Sequence, residues 1–173
     1  MKIPESLRPK FDAQITLEFA SSLAYRQLAI EMDAQDLPGM AQWLRHQADE
    51  EIVHANKFIN HVLDRDGHPT IGAINAPDVT AGATPAEVFE IALHHEETVS
   101  ESIRDLYRAV DAEGDIDARP LLNWFVEEQI EEEATVTEIL NRIKLVGDDG
   151  HGVLRLDEEL GSRTGGSTED TGN

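Results

Sequence analysis

Glu51 and His54 stand three positions apart, a spacing that places a carboxylate and an imidazole on the same face of an α-helix. Such a pair is a recurring way to hold a metal ion, although one pair alone also occurs on many ordinary helices. Other acidic residues interrupt apolar helical faces elsewhere in the chain. These are Glu18, Glu96 and Glu132, the last of which follows Gln129 by one turn. Carboxylates with one imidazole favour iron or manganese over structural zinc or copper.

Long helices must carry these side chains, and the apolar periodicity predicts four of them. They are predicted over Ser6–Met32, from after Asp36 to before Gly67, from Thr84 to Gly114, and from near Asp117 to Gly147. We expect Ser6 to cap the first helix and Thr84 to form a capping box with Glu87 at the start of the third. A short fifth helix is predicted over Val153–Leu160.

The lengths of the connections predict how the helices are arranged. Links of only a few residues join the first helix to the second and the third to the fourth, so each pair should be antiparallel. The Gly67–Ala83 segment between the second and third helices reaches ~55 Å when extended, whereas helices of the predicted length are only ~42 Å long. The predicted fold is therefore all-α, a four-helix bundle with one long crossover plus a short fifth C-terminal helix. Residues 1–162 form its single domain, and 163–173 are predicted to be a disordered polar tail.

Each long helix has a stripe that is apolar at both ends and polar in the middle. The stripes run from Phe11 to Met32, Met40 to Phe58, Phe89 to Val110, and Leu122 to Ile143. Their polar interruptions all fall near mid-helix and should meet at one level of the bundle. Unpaired carboxylates in a core cost several kcal/mol each, so they either take up protons or bind cations. A pair of divalent metal ions is the economical solution, although any one acid also fits a solvated face.

Di-iron carboxylate bundles supply one Glu from each of two helices and a Glu-x-x-His motif from each of the other two. In this chain the motif occurs once, at Glu51–His54, and Gln129–Glu132 takes its place on the fourth helix. The sequence resembles the bacterial-type non-haem ferritins of the ferritin-like di-iron family, over nearly the whole chain to about Leu160. The segments that carry the resemblance are Leu17–Tyr25, Ala48–His54 and Trp124–Glu133.

The resemblance implies an iron-storage protein with ferroxidase activity. Fe(II) would be oxidised to Fe(III) by oxygen or peroxide at a di-iron centre inside each subunit. Ferric mineral would then grow in the hollow shell of a homo-oligomer of twenty-four subunits.

The resemblance also assigns the site residues position by position. The first iron would bind Glu18, Glu51 and His54; the second would bind Glu51 as a bridge, Glu96 and Glu132, with Gln129 close by. A third, weaker iron site on the inner side would use Glu50, Glu128 and Glu131. Catalytic roles beside the iron pair are implied for Tyr25 and Gln129.

Two related families match the sequence less well. Bacterioferritins are similar but bind haem through a Met beside the ligands of the second helix, where this chain has Ile52. They also have a His at the position of Glu132. The mini-ferritins that protect DNA lack the fifth helix and build their iron site between subunits. We therefore expect iron without haem, held by ligands from a single chain.

The composition excludes several classes of partner. The chain has 14 basic and 35 acidic residues and a formal charge of −21, so no excess of Lys and Arg neutralises nucleic-acid phosphates or an anionic membrane surface. It has no cysteine, which excludes disulfides, thiolate zinc sites and Fe–S clusters. No apolar run reaches transmembrane length, and the first residues lack the apolar stretch of a signal peptide. The expected location is the cytoplasm.

Other interpretations stay open from the sequence alone. A ferritin-like di-iron oxygenase or peroxidase of small oligomeric state would use the same ligands on an organic substrate or hydrogen peroxide. A non-catalytic helical bundle would carry its acids for salt adaptation only. For Asp115 and Asp117, near the start of the fourth helix, the choice is between lining a pore for iron uptake and capping or turn chemistry, and the second is favoured.

High Asp and Glu content with few Lys residues suggests a proteome adapted to high salt, and the competing explanation is that the acids attract cations. Under the first hypothesis, we expect the melting temperature to rise with salt, because counterions screen the repulsion among carboxylates. Thermal unfolding measured across a wide salt range checks this. A melting temperature that gains nothing from salt would contradict the hypothesis.

Overall fold

The computed structural model describes residues 2–162, and within them it has five α-helices and no strand. The elements are α1 (Arg8–Asp33), α2 (Pro38–Asp64), α3 (Pro85–Glu113), a 3₁₀ turn (Ile116–Ala118), α4 (Arg119–Val146) and α5 (Gly150–Ser162). The predicted all-α bundle with a fifth helix is confirmed. The tail predicted over 163–173 lies outside the described residues. None of the described helices has the length and apolar character needed to cross a membrane.

The helix ends follow local signals in two cases and tertiary packing in a third. Thr84 and Glu87 form the predicted capping box, and Gly114 ends α3 with a φ of 70° that a side chain would strain. The prediction that Ser6 caps α1 is wrong. Leu7 occupies the cap position without any side-chain cap bond. The start of the helix is fixed because the Leu7 side chain is buried in the bundle and the Leu7 N–H donates to the carbonyl oxygen of Pro4.

The long crossover runs along the outside of α1. At its start, the backbone N–H of Thr70 donates to Oδ1 of Asp12 at 2.9 Å, in the first turns of α1. At its end, the N–H of Gly82 donates to Oε2 of Glu31 at 2.8 Å, in the last turn of α1. Since the crossover travels the whole length of α1, α2 and α3 begin at the same end of the bundle. They are parallel, as predicted.

All of the residues in the four predicted stripes are buried, and the apolar ones divide into two clusters. One cluster surrounds Phe11, Phe58 and Phe125 at one end of the bundle. The other surrounds Met32 and Phe89 at the opposite end, where α5 also packs. The polar mid-helix residues lie between the two clusters. The helices therefore enclose one polar layer between two apolar ones.

Asp115 is buried and forms two hydrogen bonds with the guanidinium of Arg65, at 2.7 and 2.8 Å. The pair ties the end of α2 to the turn between α3 and α4. The carboxylate of Asp115 makes no helix-cap hydrogen bond. Its bonds with Arg65 hold this turn together, so Asp115 is not available to line a pore. Asp117 is exposed.

The fifth helix is longer than predicted and is fixed by contacts with the start of α2. Oδ1 of Asp157 accepts a hydrogen bond from the backbone N–H of Met40 at 2.7 Å, which satisfies a free donor at that helix end. The backbones approach so closely that a Cβ on Gly39 would lie 1.8 Å from the carbonyl oxygen of Asp157. The helix spans Gly150–Ser162 instead of the predicted Val153–Leu160, and this contact holds its middle against α2.

We expect Gly39→Ala to push α5 off α2 and lower the free energy of unfolding by about 1–3 kcal/mol, the usual cost of overpacking. Hydrogen exchange of the α5 amides and urea unfolding measure the effect. Gly150→Ala is the matched control, because a Cβ there meets nothing within 4 Å. Unchanged exchange in α5 of the Gly39→Ala variant would contradict the close packing.

Candidate metal centre

Three side chains from α1 and α2 converge inside the polar layer. Glu18, Glu51 and His54 are 0%, 4% and 3% exposed, and one ligand atom from each lies within 4.8 Å of the others. Oε2 of Glu51 is 3.4 Å from Nδ1 of His54. The helical repeat explains the geometry, because Glu51 and His54 lie one turn apart on α2 and face Glu18 across the α1–α2 contact.

One polar atom on each of these three residues has no hydrogen-bond partner within residues 2–162. Oε2 of Glu18, Oε2 of Glu51 and Nδ1 of His54 are buried and have no hydrogen-bond partner among the described residues. A buried polar atom without a partner is costly in a folded protein. Two carboxylate oxygens and one imidazole nitrogen are, however, a suitable donor set for iron or manganese. The residues present therefore fit a metal ion.

Aromatic rings on α4 hold the imidazole from the side. The rings of Trp124 and Phe125 meet that of His54 in edge-on contacts, with centroids 5.6 and 5.5 Å away. Nζ of Lys57 lies 4.3 Å from the centre of the Trp124 ring, a cation–π contact. Trp124 therefore packs against the candidate ligand.

Glu96 joins the same layer from α3. The phenol of Tyr25 donates a hydrogen bond to Oε1 of Glu96, and Nε2 of Gln129 donates to Oε2 of Glu96 at 3.1 Å. The same amide also lies 3.3 Å from the hydroxyl of Ser100. The structure thus brings together the two residues predicted to be catalytic, Tyr25 and Gln129, and both contact one predicted metal ligand.

Glu132 completes the set from α4. It is 9% exposed, and its Oε2 accepts a hydrogen bond from Nε2 of Gln47 on α2 at 2.8 Å. Its charge contributes to raising the pKa of Glu51 and of Tyr25. All five predicted ligands of the metal pair therefore lie in one buried layer.

Burial raises the pKa of these four carboxyl groups. Desolvation raises the pKa of Glu18, and the charge of Glu51 adds to the rise. Desolvation likewise raises the pKa of Glu51 and Glu96. The pKa of Glu132 rises to about 9, mainly through desolvation and then through repulsion by Glu96. Without a metal ion, the layer retains protons at neutral pH; a bound cation would take their place.

The residues predicted for a third iron site are less closely grouped. Glu50 and Glu128 are half-buried and raise the pKa of Glu132 through their charges, so they lie near it. Glu131 is exposed. Within residues 2–162, the tight three-residue ligand group is the one formed by Glu18, Glu51 and His54.

Sequence reasoning missed the polar partners Gln14 and Ser102, as well as Ser100 beside Gln129. Gln14 is buried, and its Nε2 donates to Oε1 of Glu18 at 2.7 Å. Its Oε1 accepts from the hydroxyl of Ser102 on α3 at 2.5 Å. The spacing of four between Gln14 and Glu18 was a usable signal. The contact with Ser102 was not readable, since it depends on how α1 and α3 are aligned.

These features define a four-helix bundle with a candidate carboxylate–imidazole metal centre in its core. The family model described as a ferritin-like domain matches residues 10–146. The bacterial non-haem ferritin of Bacteroides fragilis is 34% identical over 93% of this chain and 99% of its own length. That of Staphylococcus aureus is 30% identical over 94% of this chain and 97% of its own. The chain belongs to the ferritin family.

A solved structure gives the same result for the fold. The open-pore ferritin of the hyperthermophilic archaeon Archaeoglobus fulgidus aligns with a TM-score of 0.90 and 32% identity, covering 95% of this chain and all of that one. The resemblance drawn from Leu17–Tyr25, Ala48–His54 and Trp124–Glu133 is therefore confirmed at the level of the family.

The raised pKa of Glu132 makes the metal-free protein sensitive to pH. The native state holds this proton more firmly than the unfolded chain does, so stability falls as pH rises from about 5 to 9. We expect Glu132→Gln to make this fall shallower, by up to about 1.4 kcal/mol per pH unit. Urea unfolding of chelator-treated protein measures both slopes. Glu127→Gln, at an exposed position of α4, should keep the wild-type slope; an equal slope in Glu132→Gln would contradict the assignment.

Proposed function

We propose that this protein is an iron-storage ferritin. It oxidises Fe(II) to Fe(III) with oxygen or peroxide at a buried two-iron centre, and it stores the ferric product as mineral inside a hollow shell of twenty-four copies. Membership of the ferritin family supports iron storage and iron oxidation in general. The observation that carries the proposal is the group of unpaired donor atoms on Glu18, Glu51 and His54, surrounded by two further buried carboxylates.

In this proposal the chain's own residues receive two Fe(II) ions as substrate. Glu18, Glu51 and His54 receive the first ion; Glu51, Glu96 and Glu132 receive the second. Protons held by the carboxyls leave as the cations bind. Each Fe(II) gives up one electron, and one oxygen molecule takes both electrons together with two protons to leave as hydrogen peroxide. The buried layer keeps bulk water away from the ions during this exchange.

Tyr25 and Gln129 act on the second position through Glu96. Each donates a hydrogen bond to one of its two carboxylate oxygens, so the pair fixes the plane of that carboxylate. This contact supports an orienting role for Tyr25. Gln129 stands where a second Glu-x-x-His motif would place an acid, and it contributes a neutral donor instead.

The oxidised product must leave the pair before the next two ions arrive. We propose that Glu50, Glu128 and Glu131 form a third, weaker site on the inner side that takes part in this transfer. The electrostatic effect of Glu50 and Glu128 on Glu132 supports their proximity to the second position. The exposure of Glu131 suits a ligand that meets ions from the cavity side.

An oxygenase acting on an organic molecule would need a pocket next to the metal ligands. A groove of about 1070 Å³ lies under the crossover. It is lined by residues such as Ala20, Ile74 and Ile91, and by none of the carboxylates of the polar layer. This separation favours iron itself as the substrate.

An aerobic iron-loading experiment tests the proposal. Fe(II) is added in large excess, and the iron that elutes with protein in size exclusion is counted per chain. We expect retention far beyond the few ions that the ligands hold, in a very large particle. Retention of only two or three ions in a small oligomer would overturn storage and leave the oxygenase or peroxidase alternative.

The same experiment with Glu51→Ala tests the centre. Because Glu51 serves both positions, we expect the initial rate of Fe(II) oxidation to fall at least tenfold, since losing even a residue that only supports a ligand costs about 10–100-fold. Glu101→Gln removes an exposed carboxylate of α3 and should keep the wild-type rate. An unchanged rate in Glu51→Ala would favour the non-catalytic bundle.

A further inference from the structure

A chain of two hydrogen bonds leads from α3 to the carboxylate of Glu18. The hydroxyl of Ser102 donates to Oε1 of Gln14 at 2.5 Å, and Nε2 of Gln14 donates to Oε1 of Glu18 at 2.7 Å. The two bonds fix which way the Gln14 amide points, because a flipped amide would set its carbonyl oxygen against the carboxylate. Oε1 of Glu18 is thereby occupied, and Oε2 is the atom left unpaired in the core.

The same arrangement recurs at the other outer carboxylates of the layer. Nε2 of Gln47 donates to Oε2 of Glu132 at 2.8 Å, and Nε2 of Gln129 donates to Oε2 of Glu96 at 3.1 Å. Each of the three carboxylates thus has a glutamine amide on one oxygen. In the described range 2–162, the structure records no glutamine amide donating to Glu51. Glu51 is also the residue proposed to serve both metal ions.

We propose that Gln14 and Gln47 are positioning residues of the metal pair. Each holds one oxygen of its carboxylate, so that Glu18 and Glu132 offer only the other oxygen to an ion. The carboxylate of Glu51 has no glutamine amide on it in the described structure, and its hydrogen bond is with another proposed ligand, Glu18, so Glu51 is the carboxylate that can be shared. The inference rests on the metal pair of the proposed function.

A purely structural role explains these glutamines less well. Gln14 and Gln47 are 1% and 8% exposed, and burying an amide costs free energy that an apolar side chain of similar size would not. An amide also keeps the charge of the carboxylate, because it is a neutral donor. It therefore restrains the direction of the ligand without competing for the cation. Residues that hold metal ligands in this way commonly change metal affinity 10–100-fold when they are removed.

Titration with Co(II) tests the inference without any oxidation step. The d–d absorption of Co(II) reports the number of bound ions, their affinities and their ligand geometry. We expect wild type to bind two ions, the tighter at the position that includes His54. Gln14→Leu should weaken the tighter step at least tenfold and the other step less than threefold, and Gln47→Leu should show the reverse.

Gln27→Leu is the matched control. Gln27 lies on α1 and donates to Glu31, four residues later, as Gln14 does to Glu18, but Glu31 holds the crossover and is no part of the polar layer. It should leave both Co(II) steps unchanged. Ser102→Ala is the second variant, since it keeps Gln14 and removes the bond that orients it. We expect it to weaken the tighter step alone, which keeps the test decisive if Gln14→Leu does not fold.

The outcomes separate the inference from the function on which it rests. A wild type that does not bind two Co(II) ions would overturn the proposed metal pair itself. A normal wild type, with both steps unchanged in all of the folded variants, would overturn the positioning role alone. Equal weakening of both steps by Gln14→Leu and by Gln47→Leu would also overturn it, because general loosening of the core predicts no selectivity between the two positions.

Discussion

The burial of acidic side chains at mid-bundle is the constraint on which the rest of the structure depends. Moving a carboxylate from water into a protein core costs far more free energy than one hydrogen bond recovers. In this chain the layer contains Glu18, Glu51, Glu96 and Glu132, with only one imidazole among them. Three of the carboxylates receive amide donors, and their raised pKa values show that the metal-free layer retains protons. Stability and cation binding are therefore coupled in the same groups.

The bundle supplies what this unfavourable layer needs. Apolar clusters lie on both sides of it, one around Phe11, Phe58 and Phe125 and the other around Met32 and Phe89. Helices of 26 to 29 residues are long enough to contribute to both clusters and to the layer between them. The crossover along α1 lets α3 begin at the same end as α2, which brings the middle of all four helices to one level. If the middles of the helices lay at different levels, the carboxylates would be buried singly and could not share a cation.

Most of this arrangement is present in the periodicity of the sequence. A stripe that is apolar at its ends and acidic at its centre predicts both the buried face and the depth of the polar layer, and each stripe residue from Phe11 to Ile143 is buried. The sequence is less informative where a contact between distant segments determines a helix end or a side-chain partner. Burial of Leu7 displaces Ser6 from its cap, and α5 packs on the start of α2 through the approach of Asp157 to Gly39. Ser102 meets Gln14 only because of the α1–α3 alignment, for which no local signal exists.

The two proposed metal positions differ in a way that follows from their neighbours. The first has an imidazole and three buried atoms without a hydrogen-bond partner in the described structure, so an ion there relieves unsatisfied groups. At the second, Glu96 already receives bonds from Tyr25 and Gln129, and Glu132 receives one from Gln47. An ion at that position has no imidazole ligand and relieves fewer unsatisfied buried atoms, so we expect it to bind more weakly. A strong position paired with a weaker one suits a centre whose metal is substrate, since the product must leave for the next pair of ions to bind.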